Sequence, residues 1–136
     1  MFMGARFIKI AGVYSAIACI LGLVMGIIHN FAFTSVHAHL NLLGWVSMTI
    51  FGLIYSFYPH AGKTKLANTH FWLHNLGLPI MQGALFFQLL TGNESLVVTM
   101  IVSSIMLVVG VILFMINLFS QIRTSHQIES NKNVTI

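Results

Sequence analysis

HAHLNLLGWVSMTIFGLIYSFY, residues His37 to Tyr58, decides the fold. It holds no Asp, Glu, Lys or Arg, and Pro59 follows it directly. A helix that crosses a bilayer needs about 20 mostly apolar residues. This stretch meets that need, and so do three others: Phe7 to Ile28, His70 to Leu90, and Leu96 to Phe119. Phe2 to Arg6 reads as a short amphipathic lead-in. The expectation is an all-α membrane protein, a four-transmembrane-helix bundle over residues 1–119 with a polar cytoplasmic tail over 120–136.

The breaks between the apolar runs carry turn and cap chemistry. Thr34 and Ser35 can cap the second helix, and Pro59 and Gly62 end it. Asn68 and Thr69 can cap the third, Gly92 and Asn93 stop it, and Ser95 can cap the fourth. Pro79 is tolerated inside a membrane helix and predicts a kink. The first run is longer than a signal-peptide core and lacks a small-residue cleavage site, so it reads as a retained span.

Composition agrees with this reading. Of 136 residues 57% are hydrophobic and 6% charged, whereas soluble domains carry about a quarter charged residues. Disorder is excluded because it needs low hydrophobicity. Two acidic residues, Glu94 and Glu129, exclude paired-carboxylate catalysis. The single cysteine, Cys19, can form neither an internal disulfide nor a cysteine metal cluster. The net charge of +4 forms no basic stripe, so the expected partner is the lipid bilayer and not nucleic acid.

The six basic residues are distributed asymmetrically. Arg6 and Lys9 lie at the start of the first run, Lys63 and Lys65 between the second and third, and Arg123 and Lys132 after the fourth. The other two loops contain none. By the positive-inside rule both termini are cytoplasmic, in a multi-pass protein of the bacterial cytoplasmic membrane.

Histidine is the residue type that composition leaves for chemistry. Ionisable side chains inside a membrane are costly and usually mark function. Of seven histidines, His126 falls in the polar tail and reads as solvated. His29, His37 and His39 lie near the outer ends of the first two helices. His60, His70 and His74 lie toward the cytoplasmic side.

On a helical wheel His29 shares a face with Gly22 and Gly26, a GxxxG pair that allows close helix approach. His37 and His39, two positions apart, point to nearly opposite sides. His37 shares its side with Asn41, Gly44 and Tyr55. His39 shares its side with Leu42, Val46, Ile50 and Leu53, and so needs a partner: a carbonyl, a metal or another subunit. His70, His74, Gly77, Met81 and Gln88 form one stripe of the third helix. The i, i+4 pair His70 and His74 can bind one metal. The plainer alternative makes His70 an interfacial residue and His74 a cross-helix hydrogen-bond donor.

A neutral imidazole whose second nitrogen is fixed suits haem or copper. Apolar surroundings rich in Phe and Leu suit a porphyrin, and the trio His29, His37 and His39 suits copper. Both readings stand on the residues alone. Antiparallel helices put His39 and His74 roughly 20 Å apart along the membrane normal, from about 1.5 Å rise per residue. One haem cannot bridge that distance, so His29 or a histidine of another subunit would complete the outer site.

The stretch from Val36 to Met81 resembles part of subunit I of the haem–copper oxidases. There, a helix carries His-x-His near its outer end and closes on an aromatic-Pro turn, before a short basic and histidine-bearing lead into the next helix. The matching pieces are His37-Ala38-His39, Phe57-Tyr58-Pro59, and His70-Phe71-Trp72-Leu73 followed by Gly77. The match covers about the middle third of the chain. Small bacterial four-helix proteins described as oxidase-like look similar through HAHLNLLGW.

The resemblance implies that His37 and His39 are axial haem ligands directed at two different pockets. It also implies that the chain corresponds to one four-helix arc of a larger ring, so a homo-oligomer, a trimer or a dimer, would build the pocket. The chain departs from the oxidases in lacking a separate copper trio, a cross-linked His-Tyr pair and an acidic proton channel. Oxygen reduction and proton pumping are therefore not expected. The expected protein binds b-type haem through His39 first, then His37 and His29, with Asn41 and Trp45 around them. Its activity is electron transfer, through a separate redox partner, or gas-ligand binding. A histidine-rich copper protein or a cofactor-free assembly subunit are the alternatives.

Overall fold

The structure, a computed structural model, describes residues 2–134, with side chains through Gln121. The side chains of Arg123, His126, Glu129 and Lys132, and with them the reading of His126 as solvated, lie outside the described residues.

The described residues form an all-helical chain of four long rods. These are α1 (Met3–Ile28), α2 (Thr34–Phe57), α3 (Lys65–Thr91) and α4 (Leu96–Val134), with a 3-10 turn at Ala61–Lys63. Three of them, Met3–Ile28, Thr34–Phe57 and Leu96–Gln121, are long and apolar enough to cross a membrane. Their outward faces are apolar: Leu23 and Ile27 on α1, Ile50 and Leu53 on α2, and Ile101, Ile105 and Val108 on α4 are all exposed. So much exposed apolar surface fits lipid and not water.

Helix boundaries differ from the sequence expectation in physically clear ways. The helical start of α1 at Met3 absorbs the supposed lead-in. The third helix begins at Lys65, five residues before His70. Its cap is Thr64, whose Oγ1 accepts the Ala67 N–H at 3.0 Å, and not Asn68 or Thr69. The second helix begins at Thr34 without a side-chain cap, and Thr34 donates its hydroxyl to the Phe31 carbonyl instead. Gly92 closes α3 at φ 70°, where a glycine meets no Cβ penalty. Pro79 lies within the continuous α3. The last helix runs past Phe119 to Val134, so residues 120–134 are helical in backbone.

α2 is not uniform. Leu40–Ser47 is a π-helix between α-helical Thr34–His39 and Met48–Phe57. The Ser47 hydroxyl donates to the Leu42 carbonyl five residues back at 2.7 Å. π turns are rare and gather at functional sites.

α1 packs on α2, and α3 on α4. The lower α1–α2 crossing is a glycine contact. A Cβ on Gly52 would lie 2.9 Å from the Gly4 carbonyl, so neither position has room for a side chain. Higher up, Gly44 faces Tyr14 and Gly22 faces the His37 ring. Gly26 meets nothing within 4 Å, so the expected GxxxG pair does not act as a pair. The core joins Phe7, Met48, Phe51, Tyr55, Phe71, Leu78 and Phe114. A smaller cluster at the end of the bundle where α2 begins holds Ala18, Val36 and Leu40, beside stacked Phe33 and Phe86 (4.7 Å).

Candidate functional site

Two tiers of histidine result. The outer tier sits at the start of α2. There His37 turns toward α1, and its Nδ1–H donates to the Ala18 carbonyl at 2.9 Å. Asn41 lies one turn on and donates its amide both to the His37 carbonyl (2.9 Å) and to His37 Nε2 (3.3 Å). Both ring nitrogens of His37 are thus used within the chain. Gly22 makes room for this ring, since a Cβ there would lie 2.7 Å from His37 Cε1.

His39 turns the other way. Its Nδ1–H donates to the Ser35 carbonyl at 2.7 Å, which fixes the tautomer and the ring plane. Its Nε2 has no hydrogen bond among the described residues. Farther along α2, Leu42 (61%), Trp45 (43%), Val46 (40%) and Ile50 (48%) are exposed. An imidazole with one nitrogen tied to a carbonyl and the other bare is the usual arrangement of a metal-ligating histidine.

The remaining members of the expected outer site do not join it. His29 caps α1 in the left-handed conformation (φ 51°, ψ 33°), with its backbone N–H on the Met25 carbonyl, and its side chain is exposed. It is not pressed against the second helix. Among the described residues no three His, Cys, Asp or Glu side chains gather as metal ligands, so His29, His37 and His39 do not form a trio within one chain. Asn41 supports His37, not His39. Trp45 lies exposed one π-helical stretch below His39.

The inner tier is closed. His70 and His74 are both fully buried, with ring centroids 5.8 Å apart. His70 is not interfacial. It stacks on Phe7 at 5.1 Å and packs edge-on against Phe51 at 4.6 Å. A hydrogen bond of 3.1 Å joins its Nδ1 to the Tyr55 hydroxyl. His74 Nε2–H donates to the Leu43 carbonyl at 3.0 Å, inside the π segment, so His74 is a cross-helix donor.

That bond also corrects a distance. Leu43 is four residues from His39, about 6 Å along the helix at about 1.5 Å per residue. His74 therefore lies about one turn from the level of His39, not roughly 20 Å away. The two histidines are separated by facing opposite sides of α2.

Polar atoms are left over in this interior. His70 Nε2, His74 Nδ1 and both amide atoms of Gln82 are buried without hydrogen-bond partners among the described residues. Buried polar atoms of this kind are uncommon and point to strain, an unseen ligand or chemistry. Sequence reading missed Tyr55 as the His70 partner, although it placed Tyr55 on the same side of the second helix as His37. It also missed Asn117, fully buried on α4. Asn117 donates to the Ala61 carbonyl (2.9 Å) and accepts from Thr64 (2.8 Å). A lone Asn inside the apolar run around Ile116 and Leu118 was the available signal.

No protein-family model, no curated protein and no solved structure matches this chain.

Proposed function

We propose that the chain is a four-span protein of the bacterial cytoplasmic membrane, with both termini inside, that binds b-type haem through His39 between copies of itself. The observation that carries this is the His39 ring, with Nδ1 held by Ser35, Nε2 bare and an apolar stripe beneath it. A bare imidazole nitrogen facing lipid is unfavourable unless something engages it. Haem would answer both features: His39 Nε2 would hold its iron, and the exposed apolar residues Leu42, Val46 and Ile50 would offer it an apolar wall. When bound it would supply a reversible one-electron couple or a gas-ligand position.

The chain's own residues hold the ligand in place. Ser35 fixes the tautomer of His39, and the π segment sets the direction of the residues below it. One chain offers His39 on an open face, so a second copy would cover the other side of the porphyrin.

The fourth span is α3, Lys65–Thr91, 27 residues or about 40 Å long at about 1.5 Å per residue. Its hydropathy is lowered by His70, His74 and Gln82, yet all three face inward. The residues exposed between Trp72 and Leu90 are apolar: Trp72, Leu76, Pro79, Ile80, Phe87, Leu89 and Leu90. Inward polar and outward apolar residues suit a helix in lipid. The cytoplasmic assignment of the termini rests on the basic loops. A cysteine placed at Thr64 should resist labelling from outside the cell, and ready labelling would reverse the orientation.

For the cofactor, the test is to purify the protein in mild detergent from haem-sufficient cells. A reduced-minus-oxidised spectrum and metal analysis are then recorded. A Soret band with iron near one per site supports the reading. The absence of a Soret band rejects it, and copper without haem replaces it with the copper protein.

A further inference from the structure

The end of the bundle where α1 and α3 begin gathers Arg6, Lys9, Lys63 and Lys65. Two adjoining clefts open there. One, of about 320 Å³, has Phe2, Met3, Tyr55 and Pro59 along it and Arg6 and Lys63 at its sides. The other, of about 530 Å³, shares Met3 and Lys63 and adds Lys65, Asn68 and Thr69. The first is therefore partly apolar and flanked by cations, and the second is polar and basic.

Among the described residues these cations have no counter-charge at this end of the bundle. None makes an ion pair among the described residues. Glu94 lies in the turn between α3 and α4 at the other end of the bundle, and the Glu129 side chain is outside the described residues. They are also held in place. The Arg6 guanidinium sits over the Phe71 ring, 4.1 Å from its centroid. Lys63 belongs to the turn that Asn117 and Thr64 tie to α4 through buried hydrogen bonds.

We infer that these clefts bind the phosphate-bearing headgroup of an anionic phospholipid. Arg6 and Lys63 straddle the phosphate, Lys65 and Asn68 face the polar part of the head, and the glycerol and first acyl carbons lie along Phe2, Met3 and Pro59. Basic pockets between helices at the cytoplasmic surface have the chemistry for such heads. The inference is independent of haem, since it uses no outer histidine.

The test uses the full chain in a neutral detergent. Native mass spectrometry follows titration with phosphatidylglycerol, with phosphatidylcholine, and with inorganic phosphate alone. Phosphatidylglycerol should bind about thirtyfold more tightly than phosphatidylcholine, from two basic groups at a membrane surface. The R6Q/K63Q variant should lose that preference, while K9Q, which removes a basic charge that lines neither cleft, should keep it. Should R6Q/K63Q fail to fold by circular dichroism, K63Q alone should weaken the preference and K63R restore it. Equal binding of the two lipids overturns the inference, as does a loss in K9Q equal to that in K63Q. Inorganic phosphate binding as tightly as phosphatidylglycerol overturns the lipid and leaves a free-anion site.

Discussion

The outer and inner histidines are the same side chain under opposite rules. His70 and His74 are enclosed by Phe7, Phe51, Tyr55 and Phe114, and each gives one nitrogen to a partner in the bundle. His39 lies on the outside of α2 with one nitrogen tied to its own helix and the other free. His37, two residues away, differs from all three, because Ala18 and Asn41 take both of its nitrogens. His39 and the inner pair each leave one nitrogen bare, so what separates them is access: the inner rings are fully buried, whereas His39 is only half-buried. The inner tier should therefore govern stability, and His39 should govern cofactor binding.

The largest break in that comparison is Phe7→Ala. Phe7 is fully buried and touches His70, Phe51, Tyr55 and Phe71. Removing it should cost about 3–5 kcal/mol of stability, read by SDS-titrated unfolding followed by circular dichroism. A cost below about 1 kcal/mol would mean that the aromatic box is not the core.

Tyr55→Phe is the sharper test of the inner tier. It leaves the shape intact and strips His70 of its hydrogen-bond partner. The expected loss is about 1–2 kcal/mol in the same unfolding assay. An unchanged midpoint would show that the Tyr55–His70 bond contributes nothing.

A smaller effect separates the two glycines of α1. Gly22→Ala should cost about 1 kcal/mol by pushing the His37 ring off Ala18, whereas Gly26→Ala should stay within about 0.5 kcal/mol. Equal effects would contradict the packing of His37 against α1. The smallest effect belongs to His39→Ala, which should move stability by less than about 0.5 kcal/mol in the cofactor-free protein.

The long helices were legible in the sequence because apolar runs and Gly or Pro breaks report directly on lipid and chain geometry. The opposed directions of His37 and His39 followed from their spacing alone. The stripe of His70, His74, Gly77, Met81 and Gln88 was legible for the same reason; the first four are buried and Gln88 is half-buried. What escaped was set by contacts between helices. The π segment depends on hydrogen bonds such as Ser47 to Leu42 that no composition rule encodes. The depth of His74 depends on how far α3 slides along α2, which turn lengths alone did not fix. The start of α3 at Lys65 depends on Thr64 being held by Asn117 from the distant α4. The outer trio failed to gather because His29 ends α1 facing outward.

The most direct measurement is the Soret absorbance of three haem-loaded preparations, wild type, His39→Ala and His37→Ala, normalised to folded protein. The wild type should show the band, His39→Ala should lose it while remaining folded, and His37→Ala should retain a haem signal. A band that survives in His39→Ala, or is absent from the wild type, would contradict the assignment of the lipid-facing imidazole as the iron ligand.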